Sequence, residues 1–205
     1  MRLFAHRVEP YDNGMYVVAD HRGDAIVIDP SQGEREAMAT VTEHGLRVLE
    51  ILNTHGHQDH VFDNAPLKER TRARLAIHAA DAYRLDPARR PKTQLEPPLS
   101  VADDLIADGP LTYLRDVQLV ALHTPGHTEG STSFYLPTEG ILFSGDVLFA
   151  GNVGRVDMPG SDPKAMEASL ARVAALPPAT RVFPGHGPAT TIGAELRWLK
   201  GFRFA

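Results

Sequence analysis

The sequence predicts an α+β protein on three observations. Short apolar and β-branched runs joined by tight turns open both halves of the chain, segments with helical spacing interrupt them, and several strand-like runs end in histidine or aspartate. At 205 residues and 42% hydrophobic content, the chain suits a single domain over 1–205 with a sizeable core.

The first half begins as a meander. Leu3 to Val8, Met15 to Ala19 and Ala25 to Ile28 are strand-like, separated by Asp12-Asn13-Gly14 and His21-Arg22-Gly23-Asp24, which suit tight antiparallel turns. Asp29-Pro30-Ser31 ends the meander. Gly33 to His44 then has helical spacing, with Ala37 and Val41 facing inward beside Met38 and Gly45 as the stop. Val48 to Leu52 reads as a buried strand. Val61 to Arg74 reads as one helix with Pro66 near its beginning, and Leu75 to His78 as a short strand whose terminal histidine is structural. Arg84 to Pro110 holds five prolines among charged residues and predicts a long loop, either a lid or an inert surface segment.

The second half returns to strands at Leu111 to Leu114, Val117 to Leu122, Thr132 to Leu136 and Ile141 to Phe143. Asp162 to Leu176 predicts a helix capped by Ser161 or Asp162, with Pro163 in its first turn. Arg181 to Phe183 is a last short strand. Leu196, Trp198, Leu199, Phe202 and Phe204 are placed to pack on the domain or on a second copy of the chain, which leaves a homo-oligomer open.

The stretch Thr54-His55-Gly56-His57-Gln58-Asp59-His60 directly follows the buried strand and predicts a metal site. In extended backbone, side chains at i and i+2 share a side, so His55 and His57 converge on one cation. Asp59 and His60 aim at a second point if the chain turns there. His127, Asp146 and His186 each follow a strand beside a glycine that permits close backbone approach, and with them there are seven donors, enough for two cations with a shared oxygen.

Composition narrows the chemistry. A formal charge of −5 without basic runs gives no footprint for nucleic acid or anionic membrane. The absence of cysteine excludes disulfides, thiolate ligands and a cysteine nucleophile, so any metal is held by nitrogen and oxygen. Met1 to Pro10 has no long apolar core, which makes the cytoplasm the default location.

These motifs together resemble the metallo-β-lactamase superfamily, whose pattern is T-H-x-H-x-D-H, a G-H, an acid after S-G and a late G-H. The resemblance runs from Asp29-Pro30 to His186 and implies a four-layer αββα sandwich with its site at the open edge between two sheets. It implies that His55, His57 and His127 bind a first metal, that Asp59, His60 and His186 bind a second, and that Asp146 bridges. The best-known zinc β-lactamases place a cysteine where this chain has Asp146. Ser144 to Phe149, Gly154 to Asp157 and Phe183 to Gly193 look most like the short glyoxalase II-like group, hydroxyacylglutathione hydrolases and related thioesterases. True glyoxalase II continues into a helical domain that holds glutathione, whereas nineteen residues follow His186, so the expectation attaches to thioester hydrolysis more than to glutathione.

The implied cofactors are two divalent metal ions, zinc first, with iron and manganese accepted by the same donors. Metal coordination lowers the pKa of water from 15.7 towards roughly 7, which supplies a nucleophile at neutral pH for a small-molecule thioester. Asp146 and Asp59 are the catalytic candidates, Asp59 serving as general base if only the first site is filled. Asp29, His123, Arg155 and Asp157 either orient the ligands or are ordinary turn and salt-bridge residues. The alternatives are a persulfide dioxygenase with one iron on His57, His127 and Asp146, a lactonase or esterase on the same donors, and a binding module without catalysis.

Overall fold

The computed structural model describes residues 1–204. The meander is present as β1 (Arg2–Val8), β2 (Asn13–Ala19) and β3 (Asp24–Ile28), followed by α1 (Glu34–Glu43) and β4 (Arg47–Leu52). Next come α2 (Gln58–Val61), α3 (Asn64–Thr71), β5 (Arg74–His78) and a 3-10 helix over Ala79–Leu85. Two short strands, β6 (Asp104–Ile106) and β7 (Gly109–Leu111), lead into β8 (Leu119–His123), β9 (Thr132–Leu136) and β10 (Ile141–Gly145). A small hairpin of β11 (Leu148–Phe149) and β12 (Asn152–Val153) precedes α4 (Pro163–Ala174), β13 (Arg181–Pro184), β14 (Thr190–Thr191) and α5 (Ile192–Leu199).

The strands form two six-stranded sheets, in the orders β1-β2-β3-β4-β5-β6 and β14-β13-β10-β9-β8-β7. Their central strands β2, β3 and β10 are buried on both faces and so are nearly continuously apolar rather than alternating. In β2, Met15, Val17 and Ala19 face one apolar layer, shared with Ala37 of α1 and Leu67 of α3. Tyr16 and Val18 face the other, the layer between the sheets, where they meet Phe134 and Phe143. A one-residue slip would exchange these sets and leave both layers misfilled, at about 1.5 to 3 kcal/mol for each large side chain displaced to water. A third layer lies under α4 and α5, around Leu142, Val182, Met166 and Leu170. Three apolar layers between helix, sheet, sheet and helix make the expected four-layer αββα sandwich.

Topology explains where the site lies. β8, β10 and β13 run in one direction, because β10 pairs parallel with β13 while β9 runs antiparallel to both β8 and β10. Their C-terminal ends therefore open on the same edge. The sheets are pinned together there by Tyr16 Oη donating to Pro184 O (2.6 Å) and Gly14 N to Gly185 O (2.7 Å).

Three expectations need correction. The helix over Val61 to Arg74 is broken between α2 and α3. Pro66 has no N–H to offer Phe62 O, so the chain restarts with Pro66 in a first turn, while Asp63 is drawn aside by Ser31 O and by the Glu34 N–H. The strand expected at Leu111 to Leu114 lies earlier, as β7, and the long loop is shorter because β6 and β7 form the edges of the two sheets within it. Pro110 is tolerated because β7 is an edge. The C-terminal apolar residues form α5 and the turn after it and pack on the third layer. No helix among the described residues is long and apolar enough to cross a membrane.

Candidate metal centre

All seven sequence-predicted donors converge at the open edge. His55 and His57 come from the loop after β4, His127 from the loop after β8, Asp146 directly follows β10, and His186 follows β13. His57 is the extended N-cap of α2 (φ −70°, ψ 145°), and the helical turn that starts there carries Asp59 and His60 to a second point. The backbone can pass close behind: a Cβ on Gly56 would meet Arg84 Cβ at 2.6 Å, and one on Gly185 would collide with Asp146 Oδ1.

The donors fall into two triads. The ligating atoms of His55, His57 and His127 lie within 4.8 Å of one another, as do those of Asp59, His60 and His186. Asp146 stands between them, with Oδ2 3.4 Å from His127 Nε2 and 3.5 Å from His186 Nε2, and Oδ1 3.5 Å from His60 Nε2. His60 Nε2 and His186 Nε2 are 3.2 Å apart, and His186 Nε2 is 3.3 Å from Asp59 Oδ2. Donors about 2.0 to 2.1 Å from a tetrahedral zinc are about 3.4 Å from one another, so these separations suit a shared cation. Asp29, His55 and His60 also approach within 4.8 Å. Asp29 is already engaged, accepting from Thr54 N (2.8 Å) and Thr54 Oγ1 (2.6 Å) and facing His60 Nδ1 (3.0 Å).

Two orphaned atoms test the fit of a metal directly. His55 Nε2 and Asp146 Oδ1 are buried without a hydrogen-bond partner among the described residues. Leaving such groups unpaired costs about 1 to 3 kcal/mol each. A cation at each triad would satisfy both atoms.

The far nitrogens are held as in ligating imidazoles. His127 Nδ1 is 2.8 Å from Arg155 O, His186 Nδ1 is 2.9 Å from Tyr11 O, and His55 Nδ1 is 3.0 Å from Thr54 Oγ1. Asn13 Nδ2 donates to Asp59 Oδ2 (3.0 Å). Of the expected orienting residues, Asp29 takes that place and Arg155 does so through its carbonyl, while its guanidinium pairs with exposed Asp157. His123 is elsewhere, stacked on His78 with ring centroids 4.0 Å apart.

Charge distinguishes the triads. Burial lowers the His57 imidazole to about 3, aided by His127 and Arg84, and takes His55 well below its ordinary value. His55 and His57 are therefore neutral, the form that binds a metal. In the second, burial opposes imidazolium at His60 and His186, but Asp59 and Asp146 outweigh it and raise them to about 9 and about 11. Burial likewise pushes Asp146 up, yet the histidines hold it at about 2, and Asp59 lies lower still. Without a metal, protons supply the positive charge that these carboxylates demand.

Above the donors is an open cavity of about 630 Å³. Pro91 to Leu95 of the proline-rich loop form one wall, and Phe149 together with Asn152 to Arg155 forms the other. Gln58 Nε2 ties the first wall to the site by donating to Pro91 O (2.8 Å). Sequence reasoning missed Asn13, the Tyr11 carbonyl and the buried pair Asp81 and Arg84, none of which carries a spacing signal.

Residues 11–186 match the family model of the metallo-beta-lactamase superfamily. The chain belongs to this superfamily. Among metallo-beta-lactamase relatives, the hydroxyacylglutathione hydrolase of Cereibacter sphaeroides is 37% identical over 177 residues, covering 85% of this chain and 62% of that protein. The solved structure of BLEG-1 B3 metallo-beta-lactamase is similar with a TM-score of 0.88 at 32% identity, over 96% of this chain and 97% of that one. That of TTHA1623 in a di-iron-bound form gives 0.81 at 40% identity, over 95% and 97%.

Proposed function

We propose that the chain is a metal-dependent thioester hydrolase acting on small molecules of the S-lactoylglutathione type. The observation that carries this reading is the complete set of seven nitrogen and oxygen donors, arranged as two triads with an aspartate between them beneath an open cavity. The relationship to a hydroxyacylglutathione hydrolase supports a thioester among possible acyl substrates.

His55, His57 and His127 would hold one divalent ion, Asp59, His60 and His186 a second, and Asp146 would touch both. Zinc is the first choice, and iron or manganese suits the same donors. When bound, the ions supply Lewis acidity, which makes water a nucleophile at neutral pH and polarises a carbonyl. The chain itself orients the donors through Asp29, Asn13 and the Arg155 and Tyr11 carbonyls. The walls from Pro91 to Leu95 and from Asn152 to Arg155 flank the substrate, and hydrolysis breaks its C–S bond to release an acid and a thiol.

The test is S-lactoylglutathione hydrolysis by purified protein with metal content measured in the same sample. Metal-dependent turnover with about two ions per chain is expected. An inactive protein holding a single iron, with oxygen uptake on glutathione persulfide, would replace this reading with a dioxygenase.

A further inference from the structure

Each triad has a buried carboxylate behind it. Asp29 faces His60 Nδ1 of the second at 3.0 Å and also backs His55 of the first through Thr54 Oγ1. Asp81, fully buried in the 3-10 helix Ala79–Leu85, stands behind the first. Its Oδ2 accepts from Gly56 N (2.8 Å) and Thr128 Oγ1 (2.7 Å), and its Oδ1 accepts from Gly130 N (2.8 Å) and lies 3.3 Å from Arg84 Nε. Gly56 separates His55 from His57, and Thr128 follows His127. Every donor of the first triad is thus within one residue of a group that Asp81 holds.

The two loops so joined leave different sheets, the first after β4 and the second after β8. Their approach is close: a Cβ on Gly130 would lie 2.7 Å from Asp81 Cβ and Cγ. Arg84 extends the clamp, with Nη2 donating to Glu129 Oε2 (2.6 Å) and Pro159 O (2.9 Å).

We propose that Asp81 is the positioning residue of the first metal site. It sets the spacing between the loop bearing His55 and His57 and the loop bearing His127, and leaves the second site to Asp29, Asn13 and the Tyr11 carbonyl. The proposal rests on the two-triad metal reading above. Outer partners of metal ligands are worth roughly 10- to 100-fold in affinity. Asp81→Asn tests this with little change of volume, since an amide presents an NH2 to donors whichever way it turns.

The experiment is competition of the metal-free chain with a chromophoric chelator for Zn²⁺, with His57→Ala and His186→Ala identifying which site is which. Asp81→Asn is expected to weaken the site lost in His57→Ala by roughly 10- to 100-fold, with the His186-dependent site unchanged. Thr128→Val removes one of the three bonds to Asp81 without uncovering Arg84, together with the Thr128 Oγ1 contact to Ser131 Oγ (2.8 Å), and is expected to weaken the same site by roughly 2- to 12-fold, the value of the one hydrogen bond to Asp81. A merely structural role would lower both sites together, and that result in either folded variant overturns the proposal, as does an unchanged first site. If the wild-type chain takes up one zinc only, the two-metal reading fails. Asp81 is then judged on that zinc: loss in His57→Ala with a 10- to 100-fold weakening in Asp81→Asn upholds its role, and anything else refutes it.

Discussion

His57 Nδ1 and His127 Nε2 face each other at 2.8 Å across the seam between the two sheets, from positions 70 residues apart in the chain. Burial keeps His57 neutral, so two lone pairs or one shared proton occupy a gap that a cation would bridge. Replacing His57 by Ala removes a donor outright and should therefore cost more than the roughly 100-fold upper value for an outer partner. The expected outcome is loss of the first metal and a drop in turnover of more than about 100-fold, checked by metal analysis and hydrolysis assay on one sample. Chelation of the wild-type protein should have the same effect, reversed by added Zn²⁺.

The close passage of Gly185 behind Asp146 gives a steric prediction. A methyl group there would collide with Asp146 Oδ1 and lie 2.9 Å from His60 Cε1, so Gly185→Ala should displace the aspartate that faces both triads. Overpacking of this kind costs about 1 to 3 kcal/mol. Lower thermal stability of the metal-free chain, together with reduced metal content, is expected. Full occupancy in the variant would show that Asp146 is not needed at that position.

Glu50 gives a pH dependence outside the metal centre. It is buried in β4, Oε1 has no hydrogen-bond partner among the described residues, and burial with Asp104 nearby raises its carboxyl to about 8 despite Arg74. Between the ordinary value of 4.5 and about 8 the folded chain holds a proton that the unfolded chain has released, so stability falls as pH rises through that window. Glu50→Gln cannot titrate and should lack this slope. Urea unfolding of both chains at pH 5 and pH 8 is expected to show a relative gain for the variant at the higher pH of about 1 to 3 kcal/mol, the cost of an unsatisfied buried polar group. Parallel pH profiles would mean that Glu50 is solvated.

What was legible in the sequence follows a physical division. β9 matches its expected bounds because polar turns flank an apolar run, and the ligand loops were visible because histidine, aspartate and glycine crowd the ends of such runs. The break between α2 and α3 was not visible as a break, since the groups that draw Asp63 aside, Ser31 O and Glu34 N, are about thirty residues away. α5 was hidden because Gly193 lies in its first turn and its start depends on the Thr191 side chain accepting from Ala194 N. Asp81 had no local signal, because its partners Gly56, Thr128 and Gly130 come from two loops that meet only in three dimensions.

The proline-rich loop was expected to be either a lid or inert, and Gln58 bears on that choice. Its amide sits between two proposed ligands and donates to Pro91 O at 2.8 Å, so the wall from Pro91 to Leu95 is tied to the turn that carries them. Removing the tie in Gln58→Ala costs about 0.5 to 1.5 kcal/mol if the closed wall depends on it, which raises the open population by roughly 2- to 12-fold. Cleavage of an exposed segment follows the open population when opening and closing are fast, so limited proteolysis within 87–99 should accelerate by that factor. KM for the thioester should rise by a similar factor with kcat little changed, because the wall contacts substrate while the donors stay in place. Equal proteolysis rates in the two chains would mark the loop as a fixed wall that needs no latch.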